Sequence, residues 1–269
     1  PDDPRIRDEV GTFYDAIQLL DDQVGVTLDS LAKDNLLDNT IIFFFGDNGR
    51  PFPRCKGTCY DTGIGTPLVV SWPAVVKAGA RTPGLASVID LAPTFLDVAG
   101  VEKPKDMQGA SLLPRLRDPS QAGHKYVFGE RNWHNCEEHI RAVRTLQYKL
   151  IHNAYLEKPY GNPSDVSSCP SWKSLLAAKD AGTLTPGQAR LFEAPRPEWE
   201  LYDLQQDPNE FKNLAGDPKY AKIQQELTAA LEQWREETGD FPPERRIRGD
   251  NTDRVTGVKF TREIPPMKE

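Results

Sequence analysis

The sequence lacks any apolar run close to the ~20 residues that a membrane-spanning helix needs, and it has no excess of positive charge. Its 33 Lys and Arg against 40 Asp and Glu give a formal net charge of −7. An acidic chain disfavours a nucleic-acid backbone or an anionic membrane surface as a bulk partner. We therefore expect neither a membrane span nor a nucleic-acid partner.

Cysteine is scarce as well. Cys55, Cys59, Cys136 and Cys169 match neither a repeated C-x-x-C zinc pattern nor a dense disulfide framework. They predict unpaired thiols or one incidental disulfide rather than a zinc site. Residues 1–4 contain neither an initiator methionine nor a signal-peptide core, so we expect the chain to begin inside a longer reading frame or after processing.

What is present is the composition of a folded, loop-rich globule. The 11 Phe, 8 Tyr and 5 Trp argue against disorder, while 20 Gly and 23 Pro indicate many turns. At about 150 residues per domain, 269 residues make one large or two modest domains. A proline- and charge-containing connection around residues 108–121 places a boundary between residues 1–115 and 116–269.

The first of these parts has an α/β pattern. Apolar residues recur every three or four positions from Phe13 to Leu31, which predicts an amphipathic helix. Residues 41–45 form a continuous apolar run, typical of a strand buried on both faces of a parallel sheet. Residues 67–73 predict a second strand, and residues 87–100 a helix closed by Gly100.

The second part predicts a small antiparallel sheet packed by a helix. Short strands are expected at residues 125–130, 140–144 and 148–152, with a polar loop at residues 131–139. A helix is expected near residues 172–180. A final helix carries an apolar stripe from Tyr220 to Trp234, with Asp217 as its N-cap and Pro218 in its first turn. Beyond Gly239 we expect a surface tail.

Three polar residues near the first strand are candidates for chemistry. Asp47 and Asn48 end that strand, and ligands bind at strand ends in open α/β sheets. A carboxylate beside an amide oxygen suits Ca²⁺ or Mg²⁺, although Asp-Asn-Gly is also a common turn. Lys56 could return to the same cleft and offset an anion, or be a solvated loop lysine.

Longer motifs then identify a family. The runs from Gly46 to Gly49, Cys55 to Gly63 and Thr66 to Pro73 resemble the D-N-G / K-G-x-x-Y-x-x-G-x-x-x-P-x-x-x-x-x-P core of the sulfatase family. Flanking motifs extend the resemblance over almost the whole chain. The residues around the Asp-Asn-Gly motif are similar to those of the heparan N-sulfatase (sulfamidase) branch. The resemblance implies an alkaline-phosphatase-like mixed sheet sandwiched by helices, of which this chain holds the C-terminal part, plus a smaller C-terminal antiparallel sheet packed by a helix.

The resemblance also implies roles and one departure. Asp47 and Asn48 would be ligands of a divalent cation, usually calcium, and Lys56 would contact the sulfate oxygens and stabilise developing charge. The family's C/S-x-P-S/x-R signature, whose Cys or Ser becomes the formylglycine nucleophile, is absent. The nearest imitation, at residues 169–172, lacks the spacer and the arginine. We expect the nucleophile in a missing N-terminal half.

Substrate contacts are expected from the second part. His134 and His139 lie in the predicted polar loop, where a histidine with carboxylates and an aromatic residue could bind a sugar; a solvated loop is the alternative. His134 is the preferred contact. Arg144 could hold a substrate carboxylate through two hydrogen bonds, or form a structural ion pair.

The sequence therefore predicts part of a sulfatase that hydrolyses sulfate esters or N-sulfates, with a sulfated carbohydrate as substrate and no turnover by this chain alone. Two other hypotheses stand beside it: a phosphodiesterase or phosphonate hydrolase of the same superfamily, and a non-catalytic fragment. The family resemblance implies a periplasmic, secreted or lysosomal location. A homo-oligomer is compatible with the sequence.

Overall fold

The computed structural model describes residues 2–134 and 136–242. The first part comprises helices α1 (Pro4–Lys33), α2 (Asp61–Ile64), α3 (Leu91–Val98) and α4 (Leu113–Arg117) and strands β1 (Ile42–Phe45) and β2 (Leu68–Ser71). The second comprises strands β3 (Val127–His134), β4 (Cys136–Arg144), β5 (Tyr148–Asn153) and β6 (Trp199–Asp203) and helices α5 (Ser164–Ser168), α6 (Pro170–Asp180), α7 (Pro186–Ala189) and α8 (Ala221–Thr238). The α/β class is confirmed. None of the described helices is both long and apolar enough to cross a membrane.

Helix α1 confirms the first predicted helix. Its N-cap Asp3 accepts a hydrogen bond from the backbone N–H of Arg5 at 2.9 Å, and Pro4 occupies the first turn, where its missing N–H costs nothing. The helix packs on α6, and Glu9 accepts a hydrogen bond from the backbone N–H of Ser171 at 2.8 Å. No residue of α1 is buried, so its apolar stripe is only partly covered.

Strand β1 exists, but the prediction that it is buried on both faces of a parallel sheet is wrong for this chain. It pairs antiparallel with β2 in a two-stranded sheet. The cross-strand pair Phe44 and Val69 is exposed, and so is the next pair, Phe45 and Leu68. Since successive residues of a strand point to opposite faces, both faces of this sheet meet solvent at one end.

Helix α3 is preceded by a cap that also orders the following loop. Asp90 is fully buried; one of its oxygens accepts the backbone N–H of Ser87, and the other accepts that of Ala110. His124 Nε2 lies 2.8 Å from the same carboxylate, which gives this histidine a structural contact. Gly100 follows the helix with a φ of 68°, a left-handed conformation that favours glycine.

The four-stranded sheet is antiparallel in the order β3-β4-β5-β6. The predicted loop at residues 131–139 is wrong, because β3 continues to His134 and β4 begins at Cys136. The polar residues of these strands find partners in segments outside the sheet. Arg131 is buried, and Glu138 pairs with Arg196 at 2.6 Å with both side chains buried. Polar residues of this kind do not signal a loop when they find partners.

Helix α8 covers one face of this sheet. Leu227 and Leu231 are buried against Val143, Leu150 and Leu201. The helix follows a 3-10 turn at Pro218–Tyr220, and Asp217 accepts the backbone N–H of Lys219 at 2.9 Å. The predicted cap is therefore confirmed. Gly239 ends the helix with a φ of 66°.

Two predictions concern the outer parts of this arrangement. The boundary between residues 115 and 116 stays a prediction, and a bridge between Leu85 and His124 crosses it. The predicted surface tail lies almost entirely outside the described residues. Among the described cysteines, Cys55, Cys59 and Cys169 are free, and burial raises the pKa of the Cys59 thiol to about 11.

Candidate active site

A cleft of about 1340 Å³ lies between the β1-β2 sheet and strand β3. Five of the six predicted site residues line it, namely Asp47, Asn48, Lys56, His134 and Arg144. The sixth, His139, does not. Residues from both parts of the chain therefore meet in one cleft, at the carboxyl end of β1.

Asp47 and Asn48 form a turn whose side chains remain exposed. Asp47 Oδ1 accepts the backbone N–H of Asn48 at 2.9 Å, and Asn48 Nδ2 donates to the carbonyl oxygen of Gly49 at 2.8 Å. Asp47 Oδ2 and Asn48 Oδ1 accept no hydrogen bond from another described residue. A turn and a cation-binding role are therefore compatible interpretations of these two residues. The turn leaves one oxygen of each side chain available for a ligand.

Gly49 connects this turn to the rest of the segment between β1 and β2, residues 50–67, which carries Lys56 and includes α2 and is called the Lys56 loop below. Its backbone N–H donates to the carbonyl oxygen of Gly63 at 2.8 Å. A Cβ atom at position 49 would lie 1.9 Å from the carbonyl oxygen of Thr62, so only glycine permits this approach. The close contact fixes the Asp-Asn turn relative to the Lys56 loop.

The donor set fits a divalent cation but is incomplete. Ca²⁺ takes about six to eight oxygen ligands in proteins, and Asp47 with Asn48 supplies two. In residues 2–134 and 136–242, no group of three or more His, Cys, Asp or Glu side chains is arranged to hold a metal ion. A cation at this position therefore needs further ligands besides these.

Lys56 extends from the loop between β1 and β2 and is partly buried. Its ammonium Nζ lies 2.7 Å from Asp165 Oδ2 on α5. Its own backbone N–H donates to the carbonyl oxygen of Arg50 at 3.0 Å. The lysine is thus neither a freely solvated side chain nor a buried one; it faces the cleft while paired with a carboxylate from the second part.

The Lys56 loop is anchored to the four-stranded sheet through Tyr60. The Tyr60 hydroxyl donates to Glu200 Oε2 at 2.8 Å. Glu200 is 1% exposed, and its carboxylate also accepts hydrogen bonds from Tyr202, Tyr160 and Asn153. Four donors satisfy a buried carboxylate that would otherwise be costly to desolvate.

Asp61, the next residue, forms a second anchor. Its carboxylate accepts hydrogen bonds from Arg144 at 3.0 Å and pairs with the ammonium of Lys149, and its backbone N–H donates to Glu210 at 2.7 Å. Burial alone would raise the pKa of Asp61, but the bonds from Arg144 and the charge of Lys149 hold it below its usual value. Arg144 therefore makes the structural ion pair that the sequence left open, at the edge of the cleft.

The two candidate histidines differ in environment. His134 ends β3 and lines the cleft. His139 lies within β4, is 3% exposed, and neither ring nitrogen has a hydrogen-bond partner. The strand that replaces the predicted loop turns this side chain into the interior. The structure therefore does not bring His139 to the other site residues.

Burial lowers the pKa of His139 to about 4, helped by the charge of Arg141 and opposed by that of Asp240. The unfolded chain gains this proton near its usual pKa of about 6.5. As the pH falls from about 6.5 to 4, we expect the free energy of unfolding to drop by up to about 3 kcal/mol, because only the unfolded state binds the proton.

Urea unfolding at pH 7 and pH 4.5 measures this loss. His139→Gln should show a smaller fall than the parent chain across the same interval. His152, Arg235 and Asp240 also face this region and titrate or carry charge in both proteins, so the difference between the two chains isolates His139. An equal fall in the free energy of unfolding of the two proteins would contradict the assignment of this pH dependence to His139.

Sequence reasoning missed the residues that hold the Lys56 loop. Asp165, Glu200, Glu210 and Lys149 received no role, although each contacts that loop. One signal was available: Lys149 directly precedes the apolar pair Leu150-Ile151, and Glu200 lies between Trp199 and Leu201. A charge inside a buried strand needs a partner, but its identity depends on distant contacts.

Comparisons with known proteins place this chain in a family. The family model for "N-sulphoglucosamine sulphohydrolase, C-terminal" matches residues 55–168 and 190–237. The family model for "Sulfatase" matches residues 2–101. The chain belongs to the sulfatase family. Within that family, the model of the C-terminal region of N-sulphoglucosamine sulphohydrolases matches more than half of the chain.

Individual relatives agree. An ulvan-active sulfatase of Formosa agariphila is 37% identical over 95% of this chain and 44% of its own length. Human N-sulphoglucosamine sulphohydrolase is 32% identical over 89% of this chain and 50% of its length. A structure solved in complex with its substrate D-glucosamine-2-N,6-O-disulfate matches with a TM-score of 0.64 and 30% identity, over 84% of this chain and 40% of that one.

The chain spans about half the length of the curated relatives it matches, or less. Two phosphonate monoester hydrolases, 22% and 21% identical, share the fold alone. The alkaline-phosphatase-like fold expected from the sequence is confirmed by the sulfatase structures.

Proposed function

We propose that this chain forms the C-terminal part of a sulfatase that hydrolyses sulfate esters or N-sulfates of a carbohydrate. The observation that carries the proposal is the meeting of Asp47, Asn48 and Lys56 in one cleft, in a chain of the sulfatase family. Two oxygen donors and an ammonium at one site suit a sulfate group held beside a cation.

Each residue has a distinct role in this proposal. Asp47 and Asn48 hold a divalent cation, with calcium the preferred ion and magnesium the alternative. Lys56 contacts the sulfate oxygens and stabilises the charge that develops on them. The cation, when bound, supplies Lewis-acid stabilisation of the sulfate group. The nucleophile, a formylglycine, lies outside this chain.

A sulfated carbohydrate is the substrate that fits the cleft. His134 and Arg144 line its wall and can donate hydrogen bonds to sugar hydroxyl, carboxylate or sulfate groups, Arg144 through the N–H groups that its pairing with Asp61 leaves available. The relatives support the choice, since human N-sulphoglucosamine sulphohydrolase and the glucosamine-disulfate complex both concern sulfated glucosamine. His139 enters only if its strand rearranges, because its ring is buried.

The exposed apolar surface of the first part supports an N-terminal sulfatase segment as partner. Several large apolar side chains on α1, β1 and β2 are exposed, among them Tyr14, Leu20, Val26, Phe44, Phe45 and Val69. Isolated exposed apolar residues are ordinary, but a concentration of them marks an interaction site. An N-terminal segment that covers α1 and both faces of the β1-β2 sheet would bury them.

Hydrolysis of a phosphodiester or phosphonate is the second candidate. A cation and Lys56 would stabilise phosphate charge as well as sulfate charge, and two phosphonate monoester hydrolases share the fold. A non-catalytic fragment is the third, favoured by the lack of a formylglycine signature in the sequence.

Assays on two forms of the protein separate these candidates. We expect the chain co-expressed with an N-terminal sulfatase segment to release sulfate from N-sulfated or O-sulfated glucosamine in a calcium-dependent manner, and the chain alone to release none. An aryl phosphodiester serves as the competing substrate. A clear preference for the diester would overturn the sulfatase proposal, and turnover by the chain alone would overturn the claim that the nucleophile lies elsewhere.

A further inference from the structure

The pairing of Lys56 with Asp165 joins positions 109 residues apart in the sequence. The carboxylate Oδ2 lies 2.7 Å from the ammonium Nζ, and the two side chains are 28% and 48% exposed, with Asp165 the more exposed. Lys56 lines the cleft, and Asp165, which is not one of the lining residues, remains accessible to solvent beside it. A sulfate that binds Lys56 must approach an ammonium that already has an anionic partner.

The position of Asp165 is built into the fold. Arg131, a buried residue of β3, donates to the carbonyl oxygen of Gly57 and, at 2.6 Å, to that of Gly161. This side chain therefore ties the Lys56 loop to the segment that leads into α5. Val166, adjacent to Asp165, is 1% exposed, so the helix that carries the carboxylate is held by its own core contact.

Gly57 strengthens this arrangement. It has a φ of 79°, and a Cβ atom at this position would lie 3.0 Å from the ring of Pro163. The residue after Lys56 and the segment before α5 are thus in close contact. An arrangement held by a buried arginine and a backbone contact keeps Asp165 beside Lys56 rather than leaving the pair to chance.

We propose that Asp165 competes with sulfate for Lys56 and thereby weakens sulfate binding and favours release of the sulfate product. This inference rests on the proposed function, which assigns sulfate binding to Lys56. A carboxylate and a sulfate are both oxygen acceptors for an ammonium, so they seek the same N–H groups. Two anions at one lysine also repel each other.

The electrostatics agree with an ionised competitor. The hydrogen bond from Lys56 lowers the pKa of Asp165, so the carboxylate keeps its charge at neutral pH. Bound sulfate at hydrogen-bond distance from Nζ would lie roughly 4–6 Å from this charge, a separation at which surface charges still interact measurably. Removing the charge while keeping the shape should therefore strengthen sulfate binding.

Titration of the chain with inorganic sulfate at constant ionic strength tests this, with the backbone amide signal of Gly57 as the readout. We expect Asp165→Asn to lower the dissociation constant of sulfate about two- to fivefold. Asp180→Asn is the matched control, since Asp180 is an exposed aspartate on α6 whose loss makes the same change in net charge. In the double variant Asp165→Asn/Lys56→Gln, the gain should disappear.

The outcomes distinguish the two claims. If Lys56→Gln abolishes sulfate binding while Asp165→Asn leaves the dissociation constant unchanged or raises it, the competition is overturned and the assignment of Lys56 stands. If Lys56→Gln leaves sulfate binding unaltered, the assignment of Lys56 fails and the competition with it. In the complete enzyme, Asp165→Asn should lower the inhibition constant of product sulfate by the same factor.

Discussion

Replacing Lys149 by methionine is expected to lower the free energy of unfolding by about 3–5 kcal/mol, the usual cost of leaving a buried charge without its partner. Lys149 is fully buried and pairs with Asp61 and, at 3.0 Å, with Glu210, which is also fully buried. Its ammonium also donates to the carbonyl oxygen of Cys59 at 3.1 Å. Methionine fills a similar volume but satisfies none of these oxygens.

Urea unfolding monitored by circular dichroism measures the loss, and Lys173→Met provides the control. Lys173 is an exposed lysine on α6, and its replacement should change stability by no more than about 0.5 kcal/mol. A loss below about 1 kcal/mol for Lys149→Met would contradict a role for the buried ammonium in holding the Lys56 loop.

The pH dependence adds a second check. Burial already raises the pKa of Glu210, while Lys149 opposes that rise. Without the lysine, the folded-state pKa of this carboxyl should rise further above its value in the unfolded chain. A raised folded-state pKa means stability that is lost as the pH increases through it. The destabilisation by Lys149→Met should therefore be larger at pH 8 than at pH 5.

The second large effect is on activity. We expect Asp47→Ala to lower cation-dependent sulfate release by the complete enzyme at least about a hundredfold, because under the proposed function the variant removes a charged ligand of the cation that would stabilise the sulfate group. The melting temperature of the isolated chain should barely change, since the side chain is exposed and its described hydrogen bond is to the adjacent backbone N–H of Asn48.

Asp106→Ala is the matched control, because Asp106 is an exposed loop aspartate of the same part of the chain. It should retain full sulfate release and full calcium affinity. Unchanged activity in Asp47→Ala would remove Asp47 from the ligand set. A loss of activity with unchanged calcium affinity would instead place Asp47 in substrate positioning rather than in cation binding.

Local patterns were sufficient for much of the fold. The three- and four-residue periodicity from Phe13 to Leu31 predicted α1, and the Asp217-Pro218 cap predicted the start of the last helix. Each of these two signals depends only on residues that lie a few positions apart in the sequence. The loop predicted at residues 131–139 failed because its charged residues find partners far away in the sequence, such as Arg196 for Glu138.

The candidate site divides in the same way. Motif spacing was enough to group Asp47, Asn48 and Lys56, which the structure brings into one cleft. His139 was misplaced because whether a histidine lies in a loop or a buried strand depends on pairing with β3 and β5. Sequence patterns carry no information about which side of such a strand the cleft occupies.

The sequence alone determined which classes of protein are excluded, because it lacks long apolar runs, excess positive charge and clustered cysteines. It also determined the family resemblance, through the sulfatase motifs. Local chemistry is enough for such conclusions because it depends on residue type and short spacing. Only the tertiary structure decided that Asp165 pairs with Lys56, that Glu200 and Lys149 anchor the adjacent Tyr60 and Asp61, and that both faces of the β1-β2 sheet meet solvent. These contacts join positions about 90 or more residues apart or depend on which surfaces are covered, so chain packing determines them and local pattern does not.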